Sequence, residues 1–170
     1  MQSHESIITS LENAPAIIIP LVKEVPESVR KRRPRPGKWS AHEHACHLAE
    51  VHPLFFSRLE LMLSEPNARI RPYDPDRDMT SPQALLHMDL DEALARFESD
   101  RRRLVEKLKR LTSDDWQSTA EHPEYLHYSV FIMFRHLALH DLFHAYRIEE
   151  LLLKRDWDAA AAGGILRQAD

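Results

Sequence analysis

The chain has 170 residues, which suits one domain with a substantial core. Its formal net charge is −4 and the charges are scattered along amphipathic segments, so the sequence has no basic stripe for nucleic acid and no polybasic patch for a membrane. Three glycines and few β-branched runs argue against a sheet, and a single cysteine, Cys46, excludes an internal disulfide. We therefore expect an all-α protein.

The two ends of the chain bear on its location and on the extent of the folded domain. Residues 1–5 lack the basic and apolar regions of a secretory signal, and no run of about 18 apolar residues is present to span a membrane. A cytoplasmic protein is expected. The pattern predicts a single domain over residues 1–158 and a flexible tail over 159–170.

The first predicted helix runs from Ser3, an expected N-cap, to about Lys23. Pro15 and Pro20 should kink or divide it. The basic segment that follows, residues 27–33, is predicted to be a solvated surface rather than a contact for an anionic substrate.

The second predicted helix begins after a rigid connection over residues 34–37. Ser40 and Glu43 have the spacing of a capping box, in which each residue bonds the other's backbone N–H. The helix should continue to about Ser64, with a bend at Pro53.

The histidines of this second helix fall into two groups. His44 and His47 lie close to the apolar stripe that also holds Val51, whereas His42 and His52 are predicted to be on the surface. His47 is therefore the best-placed metal ligand on this helix.

A proline-rich connection over residues 65–88 follows, and it is unusually long for a compact domain. It is long enough to let the second and third helices run parallel. Arg71, Tyr73 and Asp74 are as compatible with a loop as with the lining of a site.

The third helix is predicted from Asp89 or Asp91 to about Leu111, with residues 101–103, three arginines, facing outward. A short helical turn is predicted to begin at residues 113–116.

The last predicted helix runs from Ser129 to about Lys154 and carries His136, His140 and His144, four residues apart. A buried imidazole must hydrogen-bond or bind something, because an unpaired polar group in an apolar interior costs about 1–3 kcal/mol. Two of the three could hold one divalent metal ion together with a ligand from another helix. Spacing alone leaves open which two.

Two motifs carry a family resemblance. They are Trp39-Ser40-x-x-Glu43-x-x-x-His47-Leu48 and His140-Asp141-x-x-His144-x-x-Arg147-Ile148, supported by Pro36-Gly37-Lys38-Trp39-Ser40 and Ile70-Arg71-Pro72-Tyr73-Asp74. In this order the motifs resemble the DinB/YfiT-like family of metal-dependent enzymes, in its YfiT-type branch. The resemblance covers about residues 34–150.

The resemblance implies a four-helix bundle with a long connection between helices 2 and 3, and a three-histidine site. Its ligands would be His47, His140 and His144. Asp141 directly after His140, and Ile148 four residues after His144, favour this set over sets that use His136. The implied cofactor is one divalent ion, nickel or zinc before manganese or iron.

The resemblance also implies function. Relatives are described as metal-dependent hydrolases, and some resemble thiol S-transferases that use bacillithiol, mycothiol or glutathione, so a small-molecule substrate and a homodimer are expected. The general base is not identified by the sequence, and the catalytic candidates are Glu43, Tyr73 and Arg147. At the position of Arg147 the family often has glutamine or histidine, and an arginine there could grip an anionic substrate.

A competing interpretation needs no catalysis. In it the histidines hold a structural ion or form a polar network, and the bundle acts through dimerisation or partner binding. Cys46 is predicted to be a small core residue, and Asp141 and Glu50 to orient ligands or face water.

Overall fold

The computed structural model describes residues 3–71 and 84–157. The helices are α1 (His4–Glu24), α2 (Glu27–Arg30), α3 (Ala41–Glu50), α4 (His52–Ser64), α5 (Ala84–His87), α6 (Leu90–Leu108), α7 (Ser113–Gln117) and α8 (Val130–Leu152), followed by a 3-10 turn at Arg155–Trp157. Two short strands, β1 (Ala68–Arg69) and β2 (Ala120–Glu121), pair in parallel. Tyr73, Asp74 and the predicted tail over 159–170 lie outside the described residues.

Four long elements form the bundle: α1, α3 with its continuation α4, α6 and α8. Helix α1 packs against α8 and α6, and α3 packs against the same two helices. The expected all-α, four-helix architecture is therefore confirmed. The pairing of β1 with β2 ties the start of the long connection to the segment before α8.

The core consists of two apolar clusters. The first includes Ile7, Leu11, Leu59, Met62, Leu104, Leu108, Met133 and Phe134. The second includes Ile18, Val22, Ala45, Leu48, Leu94, Phe97, Ile148 and Leu151. Helices α1 and α8 pass from the first cluster to the second, whereas α3 with α4, and α6, pass from the second to the first. Helices α3 and α6 therefore run parallel, as the long connection between them allows.

The predicted helix starts are confirmed by their caps. The Ser3, Asp89 and Ser129 side chains each accept a bond from the backbone N–H three residues on, and Ser40 and Glu43 form the complete capping box. Asp89, not Asp91, caps α6. Local side-chain chemistry therefore fixes where the bundle helices begin.

Two of the alternatives predicted for the prolines are not observed: a division of the first helix and a bend centred on Pro53. Helix α1 continues through Pro15 and Pro20 over 21 residues, so it is not divided. The predicted second helix is interrupted at Val51, and Pro53 lies in the first turn of α4. Proline suits the first turn of a helix because backbone N–H groups there have no partner within the helix, so the N–H that proline lacks is not needed.

Helix α1 is also long and apolar enough to pass a length and hydropathy test for a membrane span, which the sequence analysis did not expect. One apolar face, with Ile7, Leu11, Ile18 and Val22, is buried in the bundle, whereas Ile17 is 55% exposed. A core helix passes the same test, so this is weak evidence for a membrane.

The prediction that residues 101–103 all face outward is wrong for Arg101, which is 1% exposed. Its guanidinium forms a bidentate ion pair with Asp141 and donates to the Leu11 carbonyl oxygen at 3.1 Å and to His52 Nε2 at 3.1 Å. Arg101 lies four residues after Phe97 and three before Leu104, on the apolar face of α6. The position of Arg101 on the apolar face therefore determines its burial despite its charge, because Asp141, Leu11 and His52 accept its hydrogen bonds.

His42 and His52 were predicted to be surface residues and both are buried. His42 Nε2 lies 3.0 Å from the Leu85 carbonyl oxygen of α5, which covers it. His52 Nε2 accepts from Arg101, and the His52 ring packs at a tilt against Phe97 with ring centroids 5.6 Å apart. Each ring can be buried because a segment distant in sequence supplies a hydrogen-bond partner for its Nε2 atom.

Replacing Arg101 should strongly destabilise the fold. In Arg101→Leu the Asp141 carboxylate stays buried without its partner, and we expect a loss of about 3–5 kcal/mol in the free energy of unfolding, measured by urea denaturation. Arg102→Leu, at the exposed neighbouring position, is the matched control and should have little effect. Equal stabilities for the two variants would contradict a role for the buried pair.

Acid should weaken this network through His52. Burial, followed by the Arg101 guanidinium, lowers the pKa of His52 from 6.5 to about 3. Between these values the unfolded chain binds the proton and the folded chain does not, so stability falls as the pH drops below 6.5. His52→Gln should flatten the pH dependence of unfolding by up to about 1.4 kcal/mol per pH unit between pH 6 and 5. An unchanged slope would show that His52 titrates normally.

Candidate metal centre

Three imidazoles from two helices converge on one point. His47 comes from α3, and His140 and His144 lie one turn apart on α8. His140 Nε2 is 3.0 Å from His47 Nε2 and 3.1 Å from His144 Nε2, and one ligand atom from each ring lies within 4.8 Å of the other two. The set brought together is the one that the resemblance implied.

These contacts cannot all be ordinary hydrogen bonds. An imidazole nitrogen carries either one proton or one lone pair in the ring plane, so it makes one good hydrogen bond in that direction. His140 Nε2 faces two other nitrogens at hydrogen-bond distance and can satisfy only one of them. The geometry instead suits three lone pairs directed at a single cation.

The electrostatics also favour neutral imidazole rings, which have lone pairs available for a cation. Burial, followed by the neighbouring histidines, lowers the pKa of His47 to about 3, and the pKa of His144 is lowered for the same reasons. Burial lowers the pKa of His140 as well. The three rings are therefore neutral near pH 7, which is the form that binds metal ions.

Two side chains that the sequence analysis did not place in the site complete it. His44 Nδ1 lies 2.8 Å from His144 Nδ1, on the side of that ring away from His140. The Trp39 ring packs against His44, His47 and His144 with centroid distances of 5.5, 4.8 and 5.9 Å. His44 was predicted near the inward stripe, and its spacing of three residues from His47 was the available signal.

The cluster opens into a cavity of about 760 Å³. Trp39 and Phe143 provide apolar wall, and Arg147, one turn after His144, also lines it. A cavity of this size is within the range of small-molecule sites.

Glu43 is held in place by several contacts. Its carboxylate accepts from the Ser40 backbone N–H at 2.9 Å and from Arg33 Nε at 3.0 Å. Burial alone would raise the pKa of Glu43, but the Arg33 and Ser40 hydrogen bonds outweigh burial and hold it below its usual range. A carboxylate so occupied is a poor general base. The Arg33 contact also corrects the prediction that residues 27–33 form a solvated surface.

Other predicted residues lie apart from the cluster. His136 packs against Tyr125, with ring centroids 5.3 Å apart, and is not part of the three-histidine group. The Asp141 carboxylate pairs with Arg101 rather than with a histidine of the cluster, and Glu50 pairs with Arg96 at the surface.

Cys46 is fully buried, as the sequence predicted, and burial raises the pKa of its thiol to about 12. Because the thiolate is the nucleophilic form, this cysteine is not activated.

Comparison with known families agrees with the geometry. The profile of the DinB superfamily matches residues 10–148. The chain belongs to the DinB superfamily. This match includes all three clustered histidines, the whole of α3, α4 and α6, and most of α1 and α8.

Individual DinB relatives are similar over most of their length. Proteins of Bacillus cereus and Bacillus anthracis, each named "Putative metal-dependent hydrolase", are 25% identical over 150 residues, which is 88% of this chain and 86% of each relative. The solved structure of YfiT from Bacillus subtilis superimposes with a TM-score of 0.78 at 25% identity, covering 87% of this chain and 85% of YfiT. YfiT is described as a probable metal-dependent hydrolase with an unusual four-helix bundle topology.

Proposed function

We propose that this DinB protein is a metal-dependent enzyme that holds one divalent ion through His47, His140 and His144. The observation that carries the proposal is the convergence of the three Nε2 atoms, with His140 Nε2 at 3.0 and 3.1 Å from the other two. Nitrogens bound at about 2.0–2.1 Å to one tetrahedral ion lie about 3.3 Å apart. Two of the three nitrogen pairs therefore need only a small increase in separation to fit an ion such as zinc or nickel.

The donor set favours a catalytic site over a closed structural one. Three neutral imidazoles leave the charge of a divalent ion uncompensated and a coordination position open. Among the described residues the cluster has no fourth histidine, cysteine or carboxylate ligand. When bound, such an ion lowers the pKa of a water molecule to about 7 or deprotonates a thiol.

The residues of the chain provide the surroundings for that chemistry. Trp39 packs against two of the three ligand rings and Phe143 packs edge-on against His144, with ring centroids 5.2 Å apart. These aromatic rings pack against the imidazoles and restrict their rotation. The cavity then gives a small molecule access to the cluster.

His44 has a positioning role in this proposal. For the Nε2 lone pair of His144 to face an ion, the proton of that ring must be on Nδ1, where it donates to His44 Nδ1 at 2.8 Å. A hydrogen bond of this kind fixes the tautomer and orientation of a ligand histidine. His44 is itself neutral, because burial lowers its pKa to about 4.

Two reactions fit the proposed site. Hydrolysis has support from the names of the Bacillus relatives and from the description of YfiT as a probable hydrolase. Activation of a low-molecular-weight thiol for S-transfer stays a prediction, as do the homodimer and the cytoplasmic location. The non-catalytic alternative is disfavoured by the cavity beside the cluster, which a purely structural ion does not need.

Metal content tests the proposal directly. Purified, tag-free protein should contain about one equivalent of nickel, zinc, manganese or iron by elemental mass spectrometry. His47→Ala, His140→Ala and His144→Ala should each lose most of it while keeping the helical circular dichroism spectrum, because removing one of three ligands leaves too few.

His136→Ala is the matched control, since His136 is on the same helix and packs against Tyr125 instead. Undiminished metal in the three ligand variants, or equal loss in His136→Ala, would refute the proposed set. A loaded protein justifies screening esters and amides for hydrolysis and thiol transfer to electrophiles with that ion.

Removing His44 should weaken metal binding without removing a ligand. We expect His44→Leu to raise the metal dissociation constant about 10- to 100-fold, measured by competition with a chelator. His44→Asn, whose amide oxygen can accept from His144 Nδ1, should recover much of the affinity. If Asn and Leu give the same affinity, the hydrogen bond has no positioning role.

A further inference from the structure

We infer that the ligand of this cavity carries an anionic group, a carboxylate or a phosphate, and also an apolar part. This inference rests on the proposed metal site, which would hold the reacting group. The cavity is lined by four cationic side chains and one carboxylate among the described residues: Arg35, Lys38, Arg147, Lys154 and Glu150. The chain as a whole carries a net charge of −4, so this wall is opposite in sign to the protein.

Arg147 is presented as a docking group. Its guanidinium lies over the Phe143 ring, 5.2 Å from the centroid, and Nη1 donates to Glu150 at 2.6 Å. Stacking and this ion pair fix the plane of the guanidinium, while Nε and Nη2 make no ion pair with any carboxylate of the described residues. A planar fork held in this way matches the two oxygens of a carboxylate or phosphate.

A different segment of the chain adds positive charge to the lining of the same cavity. Arg35 and Lys38 belong to the turn before α3, where the Lys38 backbone N–H donates to the Arg35 carbonyl oxygen at 3.1 Å and Gly37 has φ of 75°. Within the described parts of the chain neither side chain forms an ion pair with a carboxylate. Charges of one sign that face a shared cavity attract an anion into it.

The metal ligands and the cations are close along the chain. Arg147 follows His144 by one turn of α8, and Lys38 adjoins Trp39, which covers the histidines. A ligand that spans both therefore needs only a few bonds between its reacting group and its anionic group. Trp39, Phe143 and Leu151 supply apolar wall for the atoms between them.

A matched pair of probes tests the inference on the full-length, metal-loaded protein. Glutaric acid monohydroxamate and its carboxamide have the same metal-binding hydroxamate and differ only in the charge at the far end. We expect calorimetry to show the carboxylate binding at least about tenfold more tightly, with a preference that shrinks as salt is added. Arg147→Gln should remove most of the preference. Arg102→Gln, which removes an exposed charge that does not line this cavity, should retain it.

The outcomes separate this inference from the proposed function. Equal affinities for the two probes on metal-loaded protein, or equal loss of preference in Arg147→Gln and Arg102→Gln, would overturn the anionic ligand while leaving the metal site intact. Protein that takes up no metal would refute the proposed function instead. In that case 3-phenylpropanoate and 3-phenylpropanamide replace the hydroxamates, and equal binding of these two would overturn the cationic docking wall as well.

Discussion

The architecture depends on a buried charge that must be paired. Arg101 crosses the bundle from α6 to Asp141 on α8 and also reaches α1 and α4, between the two apolar clusters of the core. Breaking such a pair leaves an uncompensated charge in a medium of low polarity, so rotation or sliding of α8 is strongly opposed. Because His140 precedes Asp141, the same pair sets the direction in which the metal-ligand candidates point.

A second charged contact, between Arg33 and Glu43, fixes the position of α3. Glu43 closes the capping box of α3 and is bound by Arg33 from the preceding segment, one helical turn before His47. The start of α3 and the rotation of His47 are thus fixed together. The histidine cluster lies where two independently anchored helices meet, which is how a site of weakly bonded side chains keeps its geometry.

Much of this could be predicted because it is local. Ser3, Ser40 and Ser129 act within their own first turns, and apolar spacing identified the core faces of the helices. Arg101, His42 and His52 could not be placed, since their burial depends on partners 40 or more residues away. His44 was missed as part of the site for the same reason, because its partner is 100 residues distant. The resemblance to a family selected His140 and His144 where helical spacing alone could not.

The separation of the clustered histidines along the chain has a consequence for folding. His47 and His140 are 93 residues apart, so an ion shared between them would act as a reversible crosslink across more than half of the protein. By the relation used for disulfides, closing a loop of that length in the unfolded chain costs on the order of 4–5 kcal/mol of conformational entropy. The supply of metal would then govern how long the folded chain survives as well as whether it can react.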